Sequence, residues 1–162
     1  MMARKKSSSS PTPSSPVGPP LYTVKVFLVG GPVPDEFGGQ VISRTIQLRG
    51  DQTLHDLHLA IFEAYDRWDP HVYEFNVGKS PRDRSRLDIY SGGLGPIEDS
   101  CGDPEVITLD DLDLQEGQHF GYIFDFGDYW PHELEVSAIE SGPPKGDYPI
   151  IVEKVGGVKI IV

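Results

Sequence analysis

Apolar and polar positions alternate through several stretches of this chain and take helical spacing in one. In LYTVKVFL, Tyr22, Val24, Val26 and Leu28 fall at every second position with Lys25 in the opposite set, which predicts a strand. A wide turn from Gly30-Gly31-Pro32 to Gly38-Gly39 leads to a second strand over 41–48, where Ile42, Ile46 and Leu48 share a face. Leu54, Leu57, Ile61 and Tyr65 then recur at helical spacing as a core-facing stripe. Thr53 suits the helix N-cap and Asp56 its positive end. Trp68-Asp69-Pro70 is expected to stop this helix, because a residue before proline avoids the helical region. His71, Tyr73, Phe75 and Val77 alternate again and predict a half-buried strand.

From Gly78 to Glu105 the chain reads as a loop, with a short strand at Leu87–Tyr90. A helical turn over 109–112 and a tight turn at Glu116-Gly117 lead into FGYIFDFGDYWPHELEV, residues 120–136, whose alternating runs flank Gly127-Asp128 as a hairpin. Phe120, Tyr122, Phe124 and Phe126 share one face of its first strand, and Trp130, His132, Leu134 and Val136 one face of its second. A two-residue loop would set aromatics opposite Pro131 and Glu133. A three-residue loop, Gly127 to Tyr129, brings the faces together and pairs Phe124 with His132, so an odd-length loop or bulge is expected. Pro131 has no N–H for a ladder bond, which places its strand at an edge or distorts it there. The order is strand, strand, helix, strand, loop, strand, strand: an α+β layout with one principal helix on a mainly antiparallel sheet, in a single domain.

Composition narrows the function classes. Of 162 residues the net charge is −11, and all the charge of the first twenty is basic, from Arg4, Lys5 and Lys6. The acidic remainder repels phosphate backbones and disfavours nucleic acid as a partner. Cys101 is the one cysteine, so an intramolecular disulfide and a Cys-based zinc site are excluded. No apolar run approaches the roughly 18–20 residues of a membrane span, and a cytoplasmic location is expected. MMARKKSSSSPTPSSPVGPP lacks the apolar core of a secretory signal and reads as a disordered Ser/Pro-rich leader over 1–20.

The candidate chemistry lies near the strand ends. The hairpin register turns His132 inward, and His71 begins the inward set of its own strand. With Asp125, Asp128 and Asp69 near turns, a His/Asp cluster of this kind would bind a divalent metal through imidazole nitrogen and carboxylate oxygen. The competing reading makes the histidines satisfied core residues and the aspartates turn caps. It is favoured, because the spacing carries no ligand signature. No cofactor is therefore predicted, and His71, Asp125, Asp128 and His132 stand as the candidate polar cluster and the only metal-ligand candidates. Tyr73 and Trp130 are the candidate binding aromatics. Asp125-Phe126-Gly127 lacks the other kinase motifs, and Ser91-Gly92-Gly93-Leu94-Gly95 is not followed by a phosphate-loop lysine. Cys101 has acidic neighbours that disfavour a reactive thiolate.

HVYEFNVG at 71–78 and FGYIFDFGDYWPHELEV at 120–136 resemble the two signature segments of the plasmid pRiA4b ORF-3-like family. VISRTIQLRGDQTLHDLHLAIFEAYDRWD and TLDDLDLQEGQHF resemble the segments that precede them in that family. The resemblance covers about residues 21–140, leaving 141–162 as an atypical C-terminal extension, and implies a bent antiparallel sheet with a helix. It carries the polar positions His71, Asp125, Asp128 and His132, with Trp130, but no assigned activity. The arginines at 82, 84 and 86 and the C-terminal IIVEKVGGVKIIV depart from the family's pattern. Val155-Gly156-Gly157-Val158 would turn a small hairpin there, with Lys154 opposite Lys159.

With no nucleophile–base pair visible, the sequence favours a non-enzymatic binding or interaction module. Its partner is expected to be a protein, held at a sheet edge or at the aromatic face near Trp130. The alternative is a metal-assisted hydrolase, or a nucleic-acid-processing factor of a mobile element, using the His/Asp cluster.

Overall fold

A computed structural model describes residues 18–80, 83–93 and 100–157. The expected leader (up to residue 17), Arg82, the run Leu94-Gly95-Pro96 and the apolar end at 160–162 lie outside them. Seven strands form one open sheet: β1 (Leu21–Leu28), β2 (Ser43–Arg49), β3 (Tyr73–Ser80), β4 (Asp83–Gly92), β5 (His119–Phe124), β6 (Trp130–Glu140) and β7 (Ile150–Val155). Their spatial order is β4-β3-β5-β6-β1-β2-β7, and every pairing described is antiparallel. One helix, α1 (Leu54–Ala64), covers one face. The α+β class expected from the sequence holds. Register shifts opposite Thr23/Val24, Thr45/Ile46 and Gly78/Ser80 put the extra residues on β6, β7 and β4, and such bulges are the device that bends strands.

The core forms where the two periodicities meet. Val24, Val26, Ile46, Leu48, Phe75, Phe120 and Leu134 present the inward face of the sheet to Leu54, Leu57 and Ile61 of the helix, and all are fully buried or nearly so. The helix begins where expected. Thr53 Oγ1 accepts from Asp56 N at 3.1 Å and Asp56 Oδ2 accepts from Thr53 N at 2.9 Å, a reciprocal capping box.

Its end differs from expectation. The helix stops at Ala64, not at Trp68-Asp69-Pro70, because Asp66 takes a left-handed conformation (φ 56°). Asp66 N then donates to Glu63 O at 2.9 Å and Arg67 N to Phe62 O at 3.0 Å, the paired bonds of a Schellman ending. Aspartate stands where glycine is usual.

Three further expectations are corrected, and that of the C-terminal segment is extended. Residues 83–92, read mostly as loop, form a ten-residue edge strand. Its first five residues are exposed, so it is held by backbone pairing to β3 and leaves no alternating pattern to read. At the other edge, Ile150–Val155 pairs with β2 as a seventh strand and places Lys154 opposite Arg44; the return strand of the expected hairpin lies outside the described residues. The β5–β6 loop is odd in length but spans 125–129, so Phe124 faces Trp130, and His132 faces Tyr122. Finally, β6 runs through the sheet interior between β5 and β1. Pro131 is tolerated because its carbonyl, which accepts from Val29 N at 3.0 Å, faces β1 just beyond that ladder's last pair, Leu28 with His132. Standing opposite Val29 at the end of that ladder, Pro131 forfeits only the return bond that an N–H would have donated to Val29 O.

Candidate functional site

Two loops meet at one end of the sheet. The first, residues 65–72, leaves α1 and enters β3; the second, 125–129, joins β5 to β6. Asp125 (φ 61°) and Tyr129 (φ 65°) are both left-handed non-glycine residues, as is Asp66. Local strain of this kind costs on the order of 1 kcal/mol or more per residue and concentrates at functional sites. Asp125 offsets part of it. Its Oδ1 accepts from Gly127 N at 3.0 Å and Asp128 N at 3.2 Å, while its own N donates to Val72 O at 2.8 Å and binds one loop to the other.

Between the loops lies a cleft of about 200 Å³. Phe124, Trp130 and Pro32 form its apolar wall, Arg67 its inner end, and Asp69, His71, Asp125 and Asp128 its polar side, with Trp68 beside them. Gly31 supports the wall by close approach. A Cβ on it would stand 2.7 Å from the Trp130 ring, and its φ of 106° suits glycine alone. Trp68, Phe126 and Tyr129, from the same two loops, are exposed by 71, 45 and 50 %.

The folded chain brings His71, Asp125, Asp128 and Trp130 to this one cleft. His71 Nε2 lies 3.2 Å from Asp69 Oδ2 and 3.5 Å from Asp125 Oδ2. His132 is buried behind Arg67, with both ring nitrogens engaged. Arg67 Nη2 donates to Nε2 at 2.9 Å, so the ring proton sits on Nδ1 and is donated to Tyr122 O at 3.3 Å. Burial, then the charge of Arg67, hold His132 well below its ordinary pKa and keep it neutral. Tyr73 stands apart: it is buried in the core, and its hydroxyl meets His55 Nδ1 at 2.9 Å. Its ring stacks on His58 with centroids 3.7 Å apart. His58 Nδ1 in turn meets the Tyr122 hydroxyl at 2.7 Å, and burial pushes its pKa down to about 3. Among the described residues, no group of three or more His, Cys, Asp or Glu is arranged to hold a metal ion.

Arg67 is the residue the sequence did not flag. An arginine just after a helix reads as solvated, but the Schellman turn directs it inward, where it is 7 % exposed. Its guanidinium lies 4.7 Å from the Phe124 ring centre, 4.9 Å from that of Tyr65 and 5.7 Å from that of Trp130. Nε and Nη1 are buried with no hydrogen-bond partner among the described residues. Desolvation works against its charge first, and the nearby charge of Arg44 adds to that; Asp125 works the other way. A buried N–H left unpaired costs about 1–3 kcal/mol.

Comparison with solved structures gives the same fold in a crystal structure of a protein of unknown function from Methanosarcina mazei Go1. The TM-score is 0.67 at 24 % sequence identity, over 85 % of this chain and 71 % of that one. Comparison with curated proteins gives no significant match. Among the described residues, no helix is long and apolar enough to cross a membrane. The family model for plasmid pRiA4b ORF-3-like proteins matches residues 36–158, which include the helix, both loops and the whole β5–β6 hairpin. The chain belongs to the plasmid pRiA4b ORF-3-like family.

Proposed function

We propose that this chain is a non-enzymatic binding module that engages a protein partner through the cleft between residues 65–72 and 125–129. The observation that carries this reading is Arg67, a buried guanidinium with two unpartnered nitrogens at the inner end of a cleft flanked by exposed aromatics. Buried polar groups left unpaired in an otherwise satisfied core call for a ligand or another specific cause. Exposed tryptophan, phenylalanine and tyrosine beside such a cleft have the composition of recognition hot spots. Binding is favoured over catalysis because the polar groups lining the cleft are already engaged with one another, His71 with Asp69 and Asp125, and Asp125 with the turn N–H groups of Gly127 and Asp128. A second reading, metal-assisted hydrolysis, draws on His71 lying between Asp69 and Asp125.

A photo-reactive benzophenone amino acid placed at Trp68 or Tyr129 is expected to capture a discrete partner in the native cell. The same group at Thr23, on the opposite sheet face, is expected to capture none. Capture only from Val152 on the β7 edge would move the contact to the sheet edge, where Leu59, Ile150 and Ile151 line a second hollow of about 500 Å³. Stoichiometric retention of a divalent metal, with a melting temperature that rises on its addition, would favour the hydrolase reading instead.

A further inference from the structure

Resting on the reading of this cleft as a binding site, we propose that its ligand is a basic amino-acid residue with a free α-carboxylate. The carboxylate docks at Arg67, and the cationic side chain is held by Asp69 and Asp128 at the mouth. Three observations converge on this class. Nε and Nη1 of Arg67, without partners among the described residues, are donors, so the group that satisfies them is an acceptor, and a charged oxygen does so most strongly.

The second observation is the mixture of signs. Asp69, Asp125 and Asp128 line the same cleft as Arg67. A bare anion meets three carboxylates there, and a phosphate dianion meets them at twice the charge. A bare cation meets the guanidinium. A ligand carrying both signs matches both, and its orientation follows from depth. Arg67 and Asp125 are buried at 7 and 8 % exposure, whereas the Asp69 side chain is 54 % exposed and Asp128 is also exposed. The anion therefore points inward and the cation outward, where Trp68 offers an aromatic face to the cation and its alkyl stem.

The third is size. A cleft of about 200 Å³ lies below the roughly 300–1,000 Å³ of sites for drug-sized ligands and suits a single residue. Such a residue comes either as the C-terminus of a peptide or as a free amino acid.

The test is a titration of the native protein, followed through the indole N–H resonances of Trp68 and Trp130. The probes are the peptide Gly-Gly-Lys, its C-terminal amide, free lysine, acetate and inorganic phosphate. Gly-Gly-Lys is expected to shift both indoles and to bind at least about tenfold more tightly than its amide. Free lysine as tight as the peptide would assign the site to the free amino acid, and weaker lysine would assign it to a peptide C-terminus; either keeps the ligand class. Equal binding of acid and amide overturns the proposal, as does acetate or phosphate binding as tightly as the peptide. If no probe moves either indole the proposal also falls, while capture from Trp68 would still uphold the cleft as a contact site. The orientation is tested away from the core by the exposed pair Asp69→Asn with Asp128→Asn. It is expected to keep the fold and to reduce the preference for Gly-Gly-Lys over Gly-Gly-Leu from about tenfold to less than threefold. An unchanged preference contradicts the orientation proposed.

Discussion

Arg44 and Arg67 are both buried against the ring of Tyr65, at 4.7 and 4.9 Å from its centre, yet they are partnered very differently. Arg44 is 1 % exposed and donates in several directions. Its Nε reaches Ala64 O at 2.9 Å, and Nη1 reaches Ser43 O, Val155 O and Gly156 O at 2.7, 3.1 and 3.1 Å. One side chain thus caps the last turn of α1 and ties β7 to β2. Among the described residues the Arg67 side chain makes a single hydrogen bond, to His132, and leaves two nitrogens without partners. A buried charge that is saturated by backbone carbonyls supports the fold. A buried charge left half-paired costs stability, and its retention calls for a use outside the fold.

The largest effect should come from the saturated member. Arg44→Met keeps most of the volume but strands the carbonyls it served, at about 1–3 kcal/mol for each that stays dry. A loss of about 3 kcal/mol or more is expected in a urea titration. A loss below about 1 kcal/mol would mean that water or the chain itself replaces those bonds.

Acid is the next way to separate the two regions. His58 and His132 are both neutral in the fold, with pKa values pushed below the ordinary 6.5 by burial first; for His58 the value falls to about 3. The unfolded chain therefore binds more protons below pH 6.5, and the stability these residues contribute is present above that pH and lost as pH falls. The slope is about 1.4 kcal/mol per pH unit for each histidine. Urea midpoints at pH 7, 6 and 5 should fall with an accelerating step, and a flat profile would contradict the neutral assignment. His58→Gln should remove about half of the slope.

A smaller effect tests how the cleft loop is built. Asp125→Ala removes two turn bonds and leaves alanine in a left-handed conformation, for a cost of about 2 kcal/mol by thermal unfolding. Asp125→Asn keeps an acceptor and tolerates that backbone, so it should stay within about 0.5 kcal/mol of wild type. Equal losses from the two variants would show that charge, not turn geometry, holds the loop.

Legibility in the sequence followed burial. Val24, Val26, Phe75, Phe120 and Leu134 alternate because one sheet face is buried, so β1, β3, β5 and β6 could be read directly. The Thr53–Asp56 cap is local chemistry and was equally readable. β4 was not, since its exposed residues obey no inward–outward rule and its pairing rests on β3. At the cleft, the polar residues that face it are carried by the two motifs, which is why His71, Asp125, Asp128 and Trp130 could be named. Arg67 could not be, because its inward course depends on Asp66 adopting a left-handed turn that glycine normally makes. The hairpin's parity was readable from which residues share a face. Its loop length was not, because loops of three and five residues keep the same faces together.

The unfolding free energy of Arg67→Met, set beside its binding of Gly-Gly-Lys, tests the central claim most directly. Methionine removes the unpaired N–H groups and leaves only His132 Nε2 without its donor, so stability should stay within about 1 kcal/mol of wild type or rise, while peptide binding disappears. A loss of about 3 kcal/mol or more, comparable to that of Arg44→Met, would make Arg67 a structural residue and contradict the account.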